Sequence, residues 1–336
     1  MAHIHAIEFV TGSQKITNDD LKSEFPDYNY SKFERKVGIY SRNVLSDNET
    51  SLDLAITAVF NLIKKNNIEK NQINFIIHCT QSPEYMLPTS ACIIQDRCKL
   101  DEDTGAFDIN LGCSGYTYGL LIAKSLIESG SAQNIILVTS DSYTRYIHPK
   151  DLINRLIFGD AATATLITAN GSNSLEKFKC GSSGSGWNKL LVKNNFFNVR
   201  KEKVERKIYG NGNVYTDNHL YMDGPAIFDF TINKVPPLIN QILSLNNLKA
   251  HEIDQFIPHQ ANAFLLKSIS TLANIEQDKL FLNLTSYGNT VSSTIPIALK
   301  EYSEQCDYSK NKKILLAGFG VGLSWSAGVL NLQTTL

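Results

Sequence analysis

Hydrophobic positions along the chain follow two rhythms. "INFIIHCTQ" (Ile73 to Gln81), "NIILVTSD" (Asn134 to Asp141) and "AATATLIT" (Ala161 to Thr168) are short β-rich runs and predict strands. "AFDINLGCS" (Ala106 to Ser114) alternates apolar and polar, and "GYTYGLLIAKSLIESG" behind it has the helical period. Strands alternating with helical segments predict an α/β protein with a mostly parallel, helix-covered sheet.

The plan then repeats. "IDQFIPHQANAFLLKSI" (Ile253 to Ile269) reads as strand, turn and helix, like Ile73 to Ile94. "LFLNLTSYGNTVSSTIPIALKEY" (Leu280 to Tyr302) is laid out like Ala106 to Glu128. "KKILLAGFGVG" followed by "LSWSAGVLNL" (Lys312 to Leu332) matches Asn134 to Thr168 in kind. Three ordered matches, each offset by roughly 175 to 180 residues, point to an internal duplication. The expected division is residues 1–170 and 171–336. Between the repeats, Gly181 to Pro225 is polar and glycine-punctuated. Within it, "KEKVER" (Lys201 to Arg206) reads as a solvated face and "GSSGSG" (Gly181 to Gly186) as a turn.

Charge narrows the partners. Lys and Arg number 32 against 33 Asp and Glu, for a net charge of −1. That balance gives no electrostatic case for nucleic acid or an anionic membrane. No apolar run approaches the roughly 18 residues of a membrane span. "MAHIHAIEFV" lacks the basic-then-apolar layout of a signal peptide, so a cytoplasmic protein is expected.

The six cysteines form no CxxC pair, which argues against a zinc site or a redox dithiol. Most are expected to be packing residues. Cys113 stands apart. It follows Gly112 between the alternating strand and the helix, where free N–H groups and the helix dipole favour an anion. Such a junction is expected to lower the thiol pKa and make Cys113 a nucleophile. His259 follows Pro258 at the end of a strand, a usual place for functional groups in α/β sheets. By itself it reads more simply as a histidine hydrogen-bonded in a turn. Asn289 follows Gly288 and could be an ordinary turn asparagine. As a chemical group, it can donate a hydrogen bond to a developing oxyanion but cannot exchange protons. "AGFGVGLSW" (Ala317 to Trp325) lacks the spacing of a dinucleotide fingerprint and reads as backbone that must approach something closely.

Together these motifs resemble the ketoacyl-ACP synthase III branch of the thiolase-fold condensing enzymes. The resemblance runs from "KVGIYSR" (Lys36 to Arg42) through "LPTSACIIQ", "LGCSGYTYGLLIA", "FGDAATA", "MDGPAIFDF" and "PHQAN" to "YGNT", "SSTIP" and "GFGVGLSW". The Cys, His, Asn set is specific: thiolases carry a second Cys, hydroxymethylglutaryl-CoA synthases a Glu, and the ketoacyl synthase I/II branch a second His. The resemblance implies two duplicated βαβ-type halves in an α/β/α/β/α layering, with the catalytic groups at their junction. It also implies a homodimer and no permanently bound cofactor or metal; acyl-CoA or acyl-ACP are the substrates. Cys113 would take an acyl group, a malonyl-type thioester would lose CO2, and the carbanion would attack the acyl-enzyme. His259, neutral and protonated at Nε2, and Asn289 would hold the enolate oxygen. The backbone N–H groups of Cys113 and Val321 would form the acyl oxyanion hole, with Val321 standing where the family usually has Gly.

The entrance departs from the family pattern. Lys32, beside Phe33, replaces the usual adenine-stacking Trp. Asp229 and Phe264 stand where two basic carrier-docking residues are common. Leu87 aligns with the loop residue that closes the acyl pocket across a dimer. These changes point to a specialised lipid, polyketide or surface-glycan pathway rather than acetyl-CoA-primed fatty acid initiation. The alternative on the same scaffold is a non-elongating acyltransferase that passes the acyl group from Cys113 to an alcohol or amine. Cysteine proteases share the Cys, His, Asn order, but their flanking "CGSCW" is missing and a duplicated strand–helix pattern is present.

Overall fold

In the computed structural model of the chain, residues 1–194, 205–210 and 212–336 are described. Nine strands form the main sheet: β1 (His3–Thr11), β2 (Phe75–Cys79), β3 (Gly105–Ile109), β4 (Asn134–Asp141), β5 (Ala161–Thr168), β6 (Asn173–Ser182), β7 (Gln255–Pro258), β8 (Lys312–Gly320) and β9 (Ser324–Leu332). Six helices cover them: α1 (Ser51–Lys65), α2 (Ser90–Cys98), α3 (Gly115–Glu128), α4 (Gly224–Leu245), α5 (Ala263–Leu272) and α6 (Thr294–Gln305). The strand order is β7-β8-β9-β6-β1-β5-β4-β2-β3. The two flanks mirror each other about the β6–β1 contact, which consists of His3 opposite Ser174 and Ile4 opposite Asn173.

The sheet is mixed rather than mostly parallel. β2 runs parallel to β3 and β4, and β7 parallel to β8. The β4–β5, β8–β9, β5–β1, β9–β6 and β1–β6 pairs are antiparallel. β4–β5 and β8–β9 are joined without a helix that crosses over the sheet, and that reverses direction.

Alternation along the strands sorts most of the core into three groups. Ile135 and Leu137 of β4 and Ile314 and Leu316 of β8 face inward, onto Tyr116 and Leu120 of α3 and Ile295 and Leu299 of α6. Ile136 and Val138 face outward onto Val59 and Leu62 of α1 and Ile94 of α2. Leu315, Ala317 and Phe319 face outward onto Val235 and Ile239 of α4 and Leu266 of α5. Strands with both faces buried read as unbroken apolar runs. The result is the expected five-layer α/β/α/β/α arrangement.

A second difference lies at Leu280. The expected strand shrinks to one bridge, Leu280 opposite Phe256. The N–H of Asn283 goes instead to the side chain of Gln260, at 2.7 Å, so the ladder ends there. The polar excursion forms two small ribbons, Leu190–Val192 with Leu220–Met222 and Lys207–Tyr209 with Asn213–Tyr215. Of "GSSGSG", Gly181 and Ser182 belong to β6, paired with Trp325 and Ser324, and only Gly184–Gly186 make the expected turn. Of "KEKVER", Glu205 and Arg206 are exposed, and 201–204 lie outside the described residues. Among the described residues no helix is long and apolar enough to cross a membrane.

Candidate active site

α3 begins where β3 ends, and Cys113 sits in that connection, just ahead of the N-cap Ser114. Glycines let the surroundings close on it. A Cβ on Gly115 would fall 2.1 Å from Cys79 Sγ, so α3 can lie directly on β2 only with Gly there. A Cβ on Gly320 would lie 2.8 Å from Cys113 Cβ and 2.9 Å from its Sγ. One on Gly318 would meet the Cys113 carbonyl at 2.8 Å. The glycine-rich end of β8 therefore approaches the Cys113 segment itself. The backbone N–H groups of Cys113 and Val321 are both directed at the sulfur. Ser324 Oγ holds the loop in place, donating to Val321 O at 2.8 Å and meeting Ser114 Oγ at 2.7 Å.

The electrostatics correct one expectation. Cys113 is 5 % exposed, and burial pushes its thiol up to about 12, with Asp141 adding to the rise. The two N–H groups at the sulfur act in the opposite sense but do not overcome desolvation. The helix terminus therefore does not yield a thiol below the ordinary range. Asp141 is itself raised to about 7 by burial, although Ser292 Oγ and the N–H groups of Gln81 and Ser292 point at it.

His259 is reached through "PHQAN", and nearly every residue of that motif has a local task. Pro258 closes β7, and His259 N–H bonds Ala317 O at 2.8 Å. Buried Gln260 spans from Pro258 O, at 2.7 Å, to Phe281 O, at 3.2 Å, and bonds Asn283 N–H through Oε1. Asn262 caps α5 through the N–H of Leu265, at 2.9 Å. The imidazole is buried, which pulls its pKa down to about 3 and keeps it neutral. Its Nδ1 lies 2.7 Å from Thr294 Oγ1.

Asn289 stands at the start of the segment leading into α6. Its N–H bonds Ile157 O at 2.8 Å, and its carbonyl takes the Gly159 N–H at 3.1 Å, which locks it to the loop before β5. Val291 N–H donates to Asn289 Oδ1 at 2.9 Å. Because an N–H can only donate, the amide oxygen is committed and Nδ2 is left as the free donor. Asn289 is not left-handed; its neighbours Gly288, at φ 67°, and Val291, at φ 55°, are, and the latter is a strained conformation for a β-branched side chain. Nothing in the local pattern singles out Val291 or Thr294; Thr294 reads as an ordinary helix-start residue.

One cavity of about 1280 Å³ contains Cys113, His259 and Asn289 together. Its walls include Phe158, Leu190, Met222 and Phe319, and its mouth includes Lys32 and Phe264. The other entrance residues divide. Phe33 lines the cavity but is 6 % exposed and belongs to the core. Phe264 is exposed, stacks on Phe228 with centroids 5.8 Å apart, and carries Lys36 Nζ at 4.8 Å from its ring. Asp229 is exposed and outside the lining. Leu87 is 78 % exposed and does not reach the cavity. Among the described residues no cluster of three or more His, Cys, Asp or Glu side chains is placed to hold a metal ion.

Comparison with known proteins points one way. Residues 107–184 match the profile of the 3-oxoacyl-[acyl-carrier-protein (ACP)] synthase III family, and residues 243–332 match its C-terminal profile. The chain is 31% identical over 315 residues to a beta-ketoacyl-[acyl-carrier-protein] synthase III of Clostridium tetani, covering 94% of this chain and 93% of that one. A crystal structure of a 3-oxoacyl-(acyl-carrier-protein) synthase III superposes with a TM-score of 0.94 at 38% identity, covering 98% of this chain and 99% of that one. A 3-oxoacyl-(acyl-carrier protein) synthase from Burkholderia xenovorans superposes at 0.88 with 28% identity, covering 99% and 95%.

Proposed function

This chain belongs to the 3-oxoacyl-(acyl-carrier-protein) synthase III family of thiolase-fold condensing enzymes, and we propose that Cys113, His259 and Asn289 carry its chemistry. In the first step the Cys113 sulfur attacks an acyl thioester. The new C–S bond forms as the old one breaks, and the thiol proton leaves with the departing thiolate. The N–H groups of Cys113 and Val321 receive the oxyanion of that step. In the second step a malonyl-type thioester loses CO2. The electron pair of the broken C–C bond becomes an enolate, which attacks the acyl carbon and releases the Cys113 thiolate, which takes up a proton. Asn289 Nδ2 and His259 Nε2 hold the enolate oxygen.

The observation that carries this reading is the shared cavity, in which a buried nucleophile meets two neutral donors. Neutrality matters because an acidic donor would quench the carbanion. The division at residues 1–170 and 171–336 belongs to the same reading: the first half brings the sulfur and the second brings the donors. Lys32 and Phe264 at the mouth, with Asp229 exposed on α4 outside the lining, favour a specialised pathway over housekeeping initiation. Acyl-CoA or an acyl carrier protein would be the donor, the protein would act in the cytoplasm, and exposed Leu87 would serve a homodimer.

Intact-protein mass spectrometry after incubation with acyl-CoAs and acyl-ACPs tests the first step. An adduct on the wild type that is absent from Cys113→Ala is expected; loading that persists in the variant removes Cys113 from the mechanism. Malonyl-ACP added to the loaded enzyme should release CO2 and a 3-oxoacyl thioester. An acylated alcohol or amine without CO2 would establish the non-elongating reaction instead.

A further inference from the structure

A neutral imidazole has one ring proton, and its position decides whether the group offers the cavity a donor or a lone pair. His259 is neutral and lines the cavity. Its Nδ1 meets Thr294 Oγ1, and the Val291 backbone also hydrogen-bonds the ring, opposing the effect of burial on its pKa. Thr294 is 3 % exposed and its hydroxyl has one proton and two candidate acceptors: His259 Nδ1 at 2.7 Å and Val291 O at 3.1 Å.

The two distances are informative. Hydroxyl donors bond at about 2.7–2.8 Å, whereas N–H donors to oxygen centre on about 2.9–3.0 Å. A separation of 2.7 Å suits the hydroxyl as donor to the ring nitrogen, and 3.1 Å is long for a hydroxyl bonded to a carbonyl. We infer that Thr294 is a positioning residue that donates its hydroxyl proton to His259 Nδ1 and thereby holds the ring proton on Nε2, facing the cavity. The Val291 backbone serves Asn289 in the same way, since its N–H occupies Oδ1 and leaves Nδ2 outward. Both donors are thus oriented from the segment between Asn289 and the first residue of α6. The inference rests on His259 acting as an enolate donor, and it adds the residue that makes it one.

Nitrogen-15 NMR of histidine-labelled wild-type protein reads the tautomer directly, without any activity measurement. The Nε2–H form of His259 is expected; the Nδ1–H form would overturn the inference even if His259 is essential. Thr294→Val keeps the shape and removes the donor. It should shift the resonance toward the Nδ1–H form and slow condensation by about 10²-fold, leaving acyl loading of Cys113 intact. Thr294→Ser should restore both the spectrum and, within about threefold, the rate, because its hydroxyl is the same donor. A valine variant with unchanged spectrum and rate refutes the role of Thr294. Unchanged condensation in His259→Ala, by contrast, refutes the reading of His259 on which it stands.

Discussion

The two flanks of the sheet share one plan and differ at three matching connections. The β3–α3 connection carries Cys113, a nucleophile; its counterpart, from Leu280 to α6, carries Asn289, a donor that cannot titrate. The β7–α5 connection is the short "HQAN", with His259 turned into the cavity. Its counterpart, β2 to α2, is a longer surface loop that exposes Tyr85, Met86 and Leu87. The β8–β9 connection is 321–323 and presses on Cys113, whereas β4–β5 runs through 142–160 and includes the short helix Leu152–Ile157 that lines the cavity. Strands and covering helices are repeated because they share one packing problem. Loops have no such constraint and can diverge into complementary roles.

Substitutions can break that complementarity at chosen points. The largest effect is expected at Gly320. A methyl placed 2.8–2.9 Å from Cys113 Cβ and Sγ must displace the sulfur. Gly320→Ala should slow acyl loading by about 10²-fold or more, measured as the rate of adduct formation by mass spectrometry. Asn289→Ala should do the opposite: adduct formation persists, and CO2 release falls by about 10²–10³-fold. Equal loss in both half-reactions would mean that Asn289 positions Cys113 instead.

pH separates the flanks without mutation. Burial raises the Cys113 thiol to about 12, so the thiolate fraction still grows across pH 6 to 9, and loading should accelerate by up to about tenfold per unit. A plateau by pH 7 would show a low thiol pKa and overturn the burial argument. His259, depressed to about 3, stays neutral over the same range and imposes no titration on the donor side. It does affect stability in acid. The unfolded chain takes up this proton below about 6.5, while the folded chain resists until about 3. Stability should therefore fall as pH drops through that window, and His259→Gln should lessen the fall in a denaturant series. The smallest effect is expected at Asn262. Losing its cap on α5 should cost about 1 kcal/mol in urea unfolding while leaving Cys113 loading unchanged.

Much of this protein was legible before any coordinates. Runs such as "NIILVTSD" and "KKILLAGFG" could bury both faces only as strands between helix layers, because their hydrophobicity is uninterrupted. Cys113 stood out because it sits where a strand gives way to a helix; His259 and Asn289, which alone read as turn residues, stood out only through the motifs around them. Local pattern also explained the glycines near 320 as a close approach, though not what they approach. Tertiary structure alone decided the rest. It set the direction of β5 and β9 and the loss of the strand after Leu280 to a glutamine side chain. It raised the thiol that a helix terminus was expected to lower, and it brought Thr294 and Val291 against the two donors. Periodicity is local and survives in one dimension. Desolvation and hydrogen-bond partnership depend on neighbours distant in the chain, and only packing brings them together.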